Sequence, residues 1–147
     1  MGRAHGFSLL ELIIALSLMS ILAAIGVLEH HALRSRLNLS RAARQVLMDL
    51  RITRMRAVTD HVNYRIVFPS DSPTYQAQRK SGGTYRDEGV PVPLPAGIVI
   101  MNCTAGNHSI SFVPRGNAGS FGTITIGNAQ GEVRHVSVDI AGQVRVY

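Results

Sequence analysis

The residue with the strongest chemical demand is Glu11, a carboxylate in a run from Phe7 to Leu28 that holds no other ionisable side chain. A carboxylate in lipid or in a protein interior is costly unless it is protonated or meets a cation. Glu11 is therefore a group in search of a positive charge, and the run itself cannot supply one. Catalytic arrangements are missing. His30, His31, His61, His108 and His135 lack metal-ligand spacing and a cysteine cluster. Ser109 beside His108 has neither an acid partner nor a nucleophile elbow. There is no phosphate loop, no dinucleotide-binding glycine fingerprint and no zinc-protease signature. Cys103, the single cysteine, excludes an internal disulfide and reads as a buried, inert thiol. These patterns point away from an enzyme and call for neither a cofactor nor a metal.

The elements that must position Glu11 follow from composition. The 147 residues are 46% hydrophobic and only 16% charged, whereas an average soluble domain is about 25% charged. Part of the chain therefore belongs outside water. The formal net charge is +6, with Lys80 the only lysine, so the partners favoured are anionic: nucleic acid, lipid headgroups or an acidic protein face. As a helix the run from Phe7 to Leu28 would be about 33 Å long, matching a bilayer core of about 30 Å. Arg3 just before it predicts that the start stays cytoplasmic and the remainder crosses. A cleaved secretory signal and a plain anchor both compete for this stretch, although it is longer than a typical signal core and a plain anchor has no reason to keep Glu11.

Beyond Leu28 the polarity changes while helical spacing persists. Leu39, Ala43, Val46, Leu50, Thr53 and Ala57 form one stripe, with Arg34, Arg41, Arg44 and Arg51 opposite it and Arg36, Arg54 and Arg56 widening the arc. The arginine face reads as solvated, with anion binding or packing against acidic neighbours as alternatives. One helix is thus predicted from residue 7 to about 60. After Asp60 the pattern becomes period-two, predicting strands at 63–68, 74–79, 98–102, 109–113, 122–126, 133–138 and 143–147. The proline-rich segment 90–95 is expected to be an extended connector. The fold class is α+β, a long helix packed on an antiparallel β-sheet domain.

Gly6-Phe7-Ser8-Leu9-Leu10-Glu11, followed by the apolar residues to Gly26, resembles the signal of type IV pilins and pseudopilins. The resemblance implies that a prepilin peptidase cuts between Gly6 and Phe7 and methylates the new Phe7 amine. It further implies that Glu11 pairs with the Phe7 amine of a neighbouring subunit during assembly, which would offset its desolvation. Glycine at the cleavage site lets a protease approach the backbone closely. Many family members have proline where this chain has Leu28, so an unbroken helix is expected. The implied divisions are a leader at 1–6, a transmembrane or filament-core helix at 7–28, an amphipathic continuation at 29–60 and a β-rich domain at 61–147.

Ile110-Ser111-Phe112-Val113-Pro114-Arg115-Gly116, then Gly122-Thr123-Ile124, then Gly142-Gln143-Val144-Arg145, resembles the C-terminal domain of the GspH/FimT group. Gly116 and Gly142 are expected at turns with positive φ, and Phe112 and Ile124 on the sheet's inner face. The resemblance implies a structural subunit of a type II secretion pseudopilus, with a minor pilin of a type IV pilus as the alternative. Its partners would be prepilin peptidase, other pseudopilins or pilins in a filament, and the inner membrane, with the C-terminal domain in the periplasm. Some FimT-like members bind DNA through a Gly-Arg-x-Arg ending. This chain lacks the first arginine, leaving Arg115, Arg134 and Arg145 as a nucleic-acid patch only if the sheet brings them together.

Overall fold

The computed structural model describes residues 8–147, with side chains throughout except at 23–32. Gly6 and Phe7, the expected cleavage and methylation residues, lie outside the described residues, as does the expected leader. The chain divides into two units, Met1–Arg34 and Ser35–Tyr147. One helix, α1 (Leu9–Asp60), contributes to both and runs without interruption through position 28, as the absence of proline there predicts.

In the first unit α1 opens where the Glu11 and Leu12 amides donate to the Ser8 carbonyl, at 3.0 and 3.2 Å. Glu11 thus occupies the first turn, where the helix dipole favours a negative charge. Ser17 Oγ donates to the Ile13 carbonyl and Ser20 Oγ to the Ser17 carbonyl, both at 2.8 Å. Hydroxyls satisfied on their own helix leave the surface apolar. Leu9, Leu10, Leu12, Ile13, Ile14, Leu16, Leu18, Met19, Ile21 and Leu22 are all exposed. At 100° per residue they surround the helix rather than forming one stripe. Among the described residues no helix is long and apolar enough to cross a membrane. The span expected over 7–28 rests partly on residues outside the described side chains.

The second unit holds the core. Leu39, Ala43, Val46, Leu50, Thr53 and Ala57 are buried, and Ala42 joins them, so the helical stripe is the packing face. The strands are β1 (Tyr64–Val67), β2 (Thr74–Ser81), β3 (Thr84–Asp87), β4 (Val92–Pro93), β5 (Ile98–Cys103), β6 (Ser109–Phe112), β7 (Ala118–Ser120), β8 (Gly122–Asn128), β9 (Val133–Val138) and β10 (Val144–Val146). They form two antiparallel sheets, one ordered β3-β2-β1-β6-β7 with β4 also on β2, the other β10-β9-β8-β5. Ile66, Ile110 and Phe112 from the first sheet, Phe68 just after β1, and Ile100, Ile124, Ile126 and Val136 from the second sheet share one core with the helix. Cys103 is buried in it, and burial pushes its thiol pKa up.

Three strands depart from expectation. β3 follows Gly82-Gly83, both at positive φ, a two-residue hairpin turn whose second strand is too polar to show alternation. β7 is Ala-Gly-Ser and carries no apolar signal. The expected connector at 90–95 includes β4, because Pro93 pairs opposite Thr74 as a short strand that β2 alone flanks, where the missing amide is tolerated.

Candidate functional site

Two turns of the same build lie against each other beside the helix. In the first, the Gly116 amide donates to the Val113 carbonyl at 2.8 Å, and the Val113 amide donates to the Asn117 carbonyl at 3.0 Å. In the second, the Gly142 amide donates to the Asp139 carbonyl at 2.9 Å, and the Asp139 amide donates to the Gln143 carbonyl at 3.1 Å. Gly116 and Gly142 stand at φ of 84° and 76°, as their sequence contexts predict. The two turns are joined by the Ala118 amide, which donates to the Ile140 carbonyl at 3.1 Å. A Cβ on Gly142 would overlap the Gly116 carbonyl oxygen, so glycine here permits backbone to approach backbone.

Arg54 holds both turns from the helix. Its Nε donates to the Gly116 carbonyl at 2.7 Å and its Nη2 to the Ala141 carbonyl at 3.3 Å. A planar guanidinium presents such donors in a fixed fork, which a lysine would not. The two C-terminal sequence patterns that flank Gly116 and Gly142 therefore form a single structural piece, clamped by a helical side chain.

The piece borders a groove of about 790 Å³ in which Arg51 and Arg54 from α1 meet Arg115 from the first turn and Arg145 from β10. Arg115 and Arg145, two of the three expected nucleic-acid residues, are brought together. Arg51, Arg115 and Arg145 are exposed. Among the described residues Arg51 and Arg115 have no hydrogen-bond or ion-pair partner, while Arg145 Nη2 reaches only Gln143 Oε1 at 3.3 Å. No acidic side chain lines the groove, and its apolar part includes Met55, Val58 and Val144. The arrangement suits an anionic partner, since four guanidinium groups line the groove with no acid among them.

Arg134 lies elsewhere, with Arg36, Leu39 and Glu132 around a smaller hollow. The sheet thus brings together Arg115 and Arg145 but not Arg134, which β9 carries opposite Ile126, and the helix adds Arg51 to the groove. Glu11 belongs to the first unit, exposed in its opening turn. Among the described residues no group of histidine, cysteine or acidic side chains could hold a metal.

Further polar ties fix the helix register that aims Arg51 and Arg54. Tyr75 Oη donates to Asp49 Oδ2, and Gln45 Nε2 donates to Tyr75 Oη at 3.1 Å and to the Pro93 carbonyl at 2.9 Å. Tyr64 Oη donates to Asp60 Oδ2 at 2.6 Å. Burial, then the carboxylate partner, raises both phenols, Tyr64 to about 12 and Tyr75 also upward.

The family model for "Type II transport protein GspH" matches residues 42–143. The "Prokaryotic N-terminal methylation motif" matches residues 1–27. No curated protein matches the chain. The minor pseudopilin EpsH from the type 2 secretion system of Vibrio cholerae is similar in structure, with a TM-score of 0.63 at 12% identity, covering 75% of this chain and 96% of EpsH. The type IV minor pilin FimU of Pseudomonas aeruginosa is similar with a TM-score of 0.57 at 17% identity, covering 76% of this chain and 90% of FimU. At these identities the two structures establish a shared fold.

Proposed function

The chain belongs to the GspH family, and from that premise we propose how it is made, held and put to use. It is an H-type pseudopilin, a structural subunit of the type II secretion pseudopilus. It is synthesised as a prepilin, cut between Gly6 and Phe7 by prepilin peptidase and methylated on the Phe7 amine. Residues 7–28 hold it in the inner membrane, with the C-terminal domain in the periplasm, until it enters the filament beside other pseudopilins. Glu11 then pairs with the Phe7 amine of a neighbouring subunit.

The observation that carries this reading is a division of labour in the helix. Among the described residues the core is built from position 39 onward, while ten large apolar side chains between Leu9 and Leu22 are exposed around α1. An apolar surface that surrounds a helix calls for cover by lipid or neighbouring subunits. Glu11→Val should leave processing intact and reduce recovery of the subunit in sheared or cross-linked filaments, whereas Gly6→Val should block processing. Normal incorporation of the Glu11 variant would remove the pairing role.

A minor pilin of a type IV pilus that holds DNA is the second reading. It is favoured by the convergence of Arg115 and Arg145 in one groove and weakened by the separate position of Arg134.

A further inference from the structure

The groove adjoins an unpaired sheet edge. Among the described residues β10 is the last strand of its sheet and pairs only with β9. Tyr147 and His135 exchange both amide bonds, at 3.0 and 3.1 Å, and the Asp139 amide reaches the Gln143 carbonyl. Because bonded and non-bonded pairs alternate in an antiparallel ladder, Arg145 faces Ser137 as a bonded pair and Val144 and Val146 do not. The amides and carbonyls of Val144 and Val146 therefore point to the open edge. Such an edge is a template for another extended chain.

The side chains around that edge specify what kind of chain. Arg51, Arg115 and Arg145 offer guanidinium groups with no acid among them, and guanidinium recognises carboxylates in a bidentate manner. Met55 and Val58 are 62% and 42% exposed beside them and leave an apolar surface open to solvent. No aromatic ring lines the groove, so bases would find no stacking platform, and a phosphate backbone has no use for the methionine and valine or for strand-edge amides. Arg54 and the paired glycine turns hold the site in place before any ligand arrives, which lowers the ordering cost of binding.

We propose that the edge of β10 and its arginine-lined groove dock an extended, acidic segment of a partner protein, added as a further strand with carboxylates toward Arg51, Arg115 and Arg145 and apolar side chains toward Met55 and Val58. This deepens the reading of the chain as a filament subunit by naming the chemistry of a neighbour's contact, and it is independent of Glu11.

The test uses the full chain in detergent and fluorescence anisotropy. The probes are a labelled decapeptide alternating glutamate with valine, its glutamine analogue, its analogue with alternate backbone amides N-methylated, and a labelled oligothymidylate. The acidic peptide should bind at least tenfold more tightly than either analogue. The double variant Arg115→Glu/Arg145→Glu, both positions exposed and checked for folding by circular dichroism, should weaken it at least tenfold. Three results would overturn the proposal: no binding of the acidic peptide, binding that ignores N-methylation or the two reversals, or tighter binding of oligothymidylate through the same arginines. The last would instead favour the nucleic-acid reading. A Glu11→Val protein should bind the peptide normally, so failure of the pairing role and failure of the docking site are told apart.

Discussion

Replacing Gly142 with alanine tests whether the two glycine turns are one clamped piece. Two penalties combine there. Left-handed backbone costs an L-residue about 1–2 kcal/mol, and Gly142 stands at φ 76°. The added Cβ would also displace the Gly116 carbonyl, which accepts the Arg54 Nε bond at 2.7 Å. Loss of a hydrogen bond to a charged group costs about 1.5–3 kcal/mol. Reduced freedom of the unfolded chain returns about 0.4–1 kcal/mol. The net expectation for Gly142→Ala is a loss of about 2–4 kcal/mol. Gly131 is the matched control: its φ is 80°, and a Cβ there meets nothing within 4 Å. Gly131→Ala should therefore cost about 1 kcal/mol or less, from strain alone. Urea unfolding of residues 35–147, which hold every core residue among the described ones, followed by far-ultraviolet circular dichroism, gives both values. With a slope of about 1–3 kcal/mol per molar urea, the midpoints should differ by about 1 M. If the two variants unfold within 0.5 kcal/mol of each other, within the scatter of about 0.3–0.5 kcal/mol seen for unrelated sites, the close approach of the turns has no energetic weight and the clamp is refuted.

Arg54→Met keeps the aliphatic stem but removes both carbonyl contacts, and should cost about 2–3 kcal/mol in the same unfolding measurement, whereas Arg51→Met, without a partner to lose, should be nearly neutral. Alkaline pH should destabilise the second unit: Tyr64 and Tyr75 are raised by burial, so the folded state keeps its protons after the unfolded state has lost them. The associated stability is complete below about pH 10 and declines as pH rises toward about 12. Unfolding measured across that window should show the decline, and Tyr64→Phe with Tyr75→Phe should flatten it; an unchanged slope in the double variant would remove the phenols as its source.

Much of the fold was legible because its signals are local. The helical stripe from Leu39 to Ala57 obeys one period, and its members are buried, with Ala42 added where the packing face is wider than a single row. Gly116 and Gly142 announced their turns through the residues around them, and Phe112 and Ile124 are fully buried as their alternation implied. The polar strand β3 and the small-residue strand β7 carried no hydrophobic alternation, so only their partners define them. Of the groove, Arg115 and Arg145 were visible beside their glycines, but their meeting with Arg51 was not. Residues separated by more than 60 positions are joined there by tertiary packing, and Arg134, equally basic and also on a C-terminal strand, goes to another end of the sheet.

The arginine-rich face of the helix shows why charge counting alone misleads. By periodicity it is one solvated surface, yet its members have different tasks. Arg36 pairs with Glu132 at 2.8 Å and Arg56 with Glu88 at 3.1 Å, exposed arginines on half-buried acids, and such surface pairs contribute about 0–1 kcal/mol. Arg54, one position beyond the buried Thr53, reaches two backbone carbonyls and sets the shape of the turns. Arg51, three residues earlier and almost a full turn away, lies on the same side, exposed in the groove and without a hydrogen-bond partner among the described residues. What separates the two is that the glycine turns give Arg54 carbonyls to hold and give Arg51 none. An aperiodic shift of the helix by one residue would rotate both by about 100°, and would lose the clamp and the groove together. The ties from Gln45, Asp49 and Asp60 to the first sheet hold that register, so the sheet on one side of the helix secures the chemistry presented by the turns on the other strands.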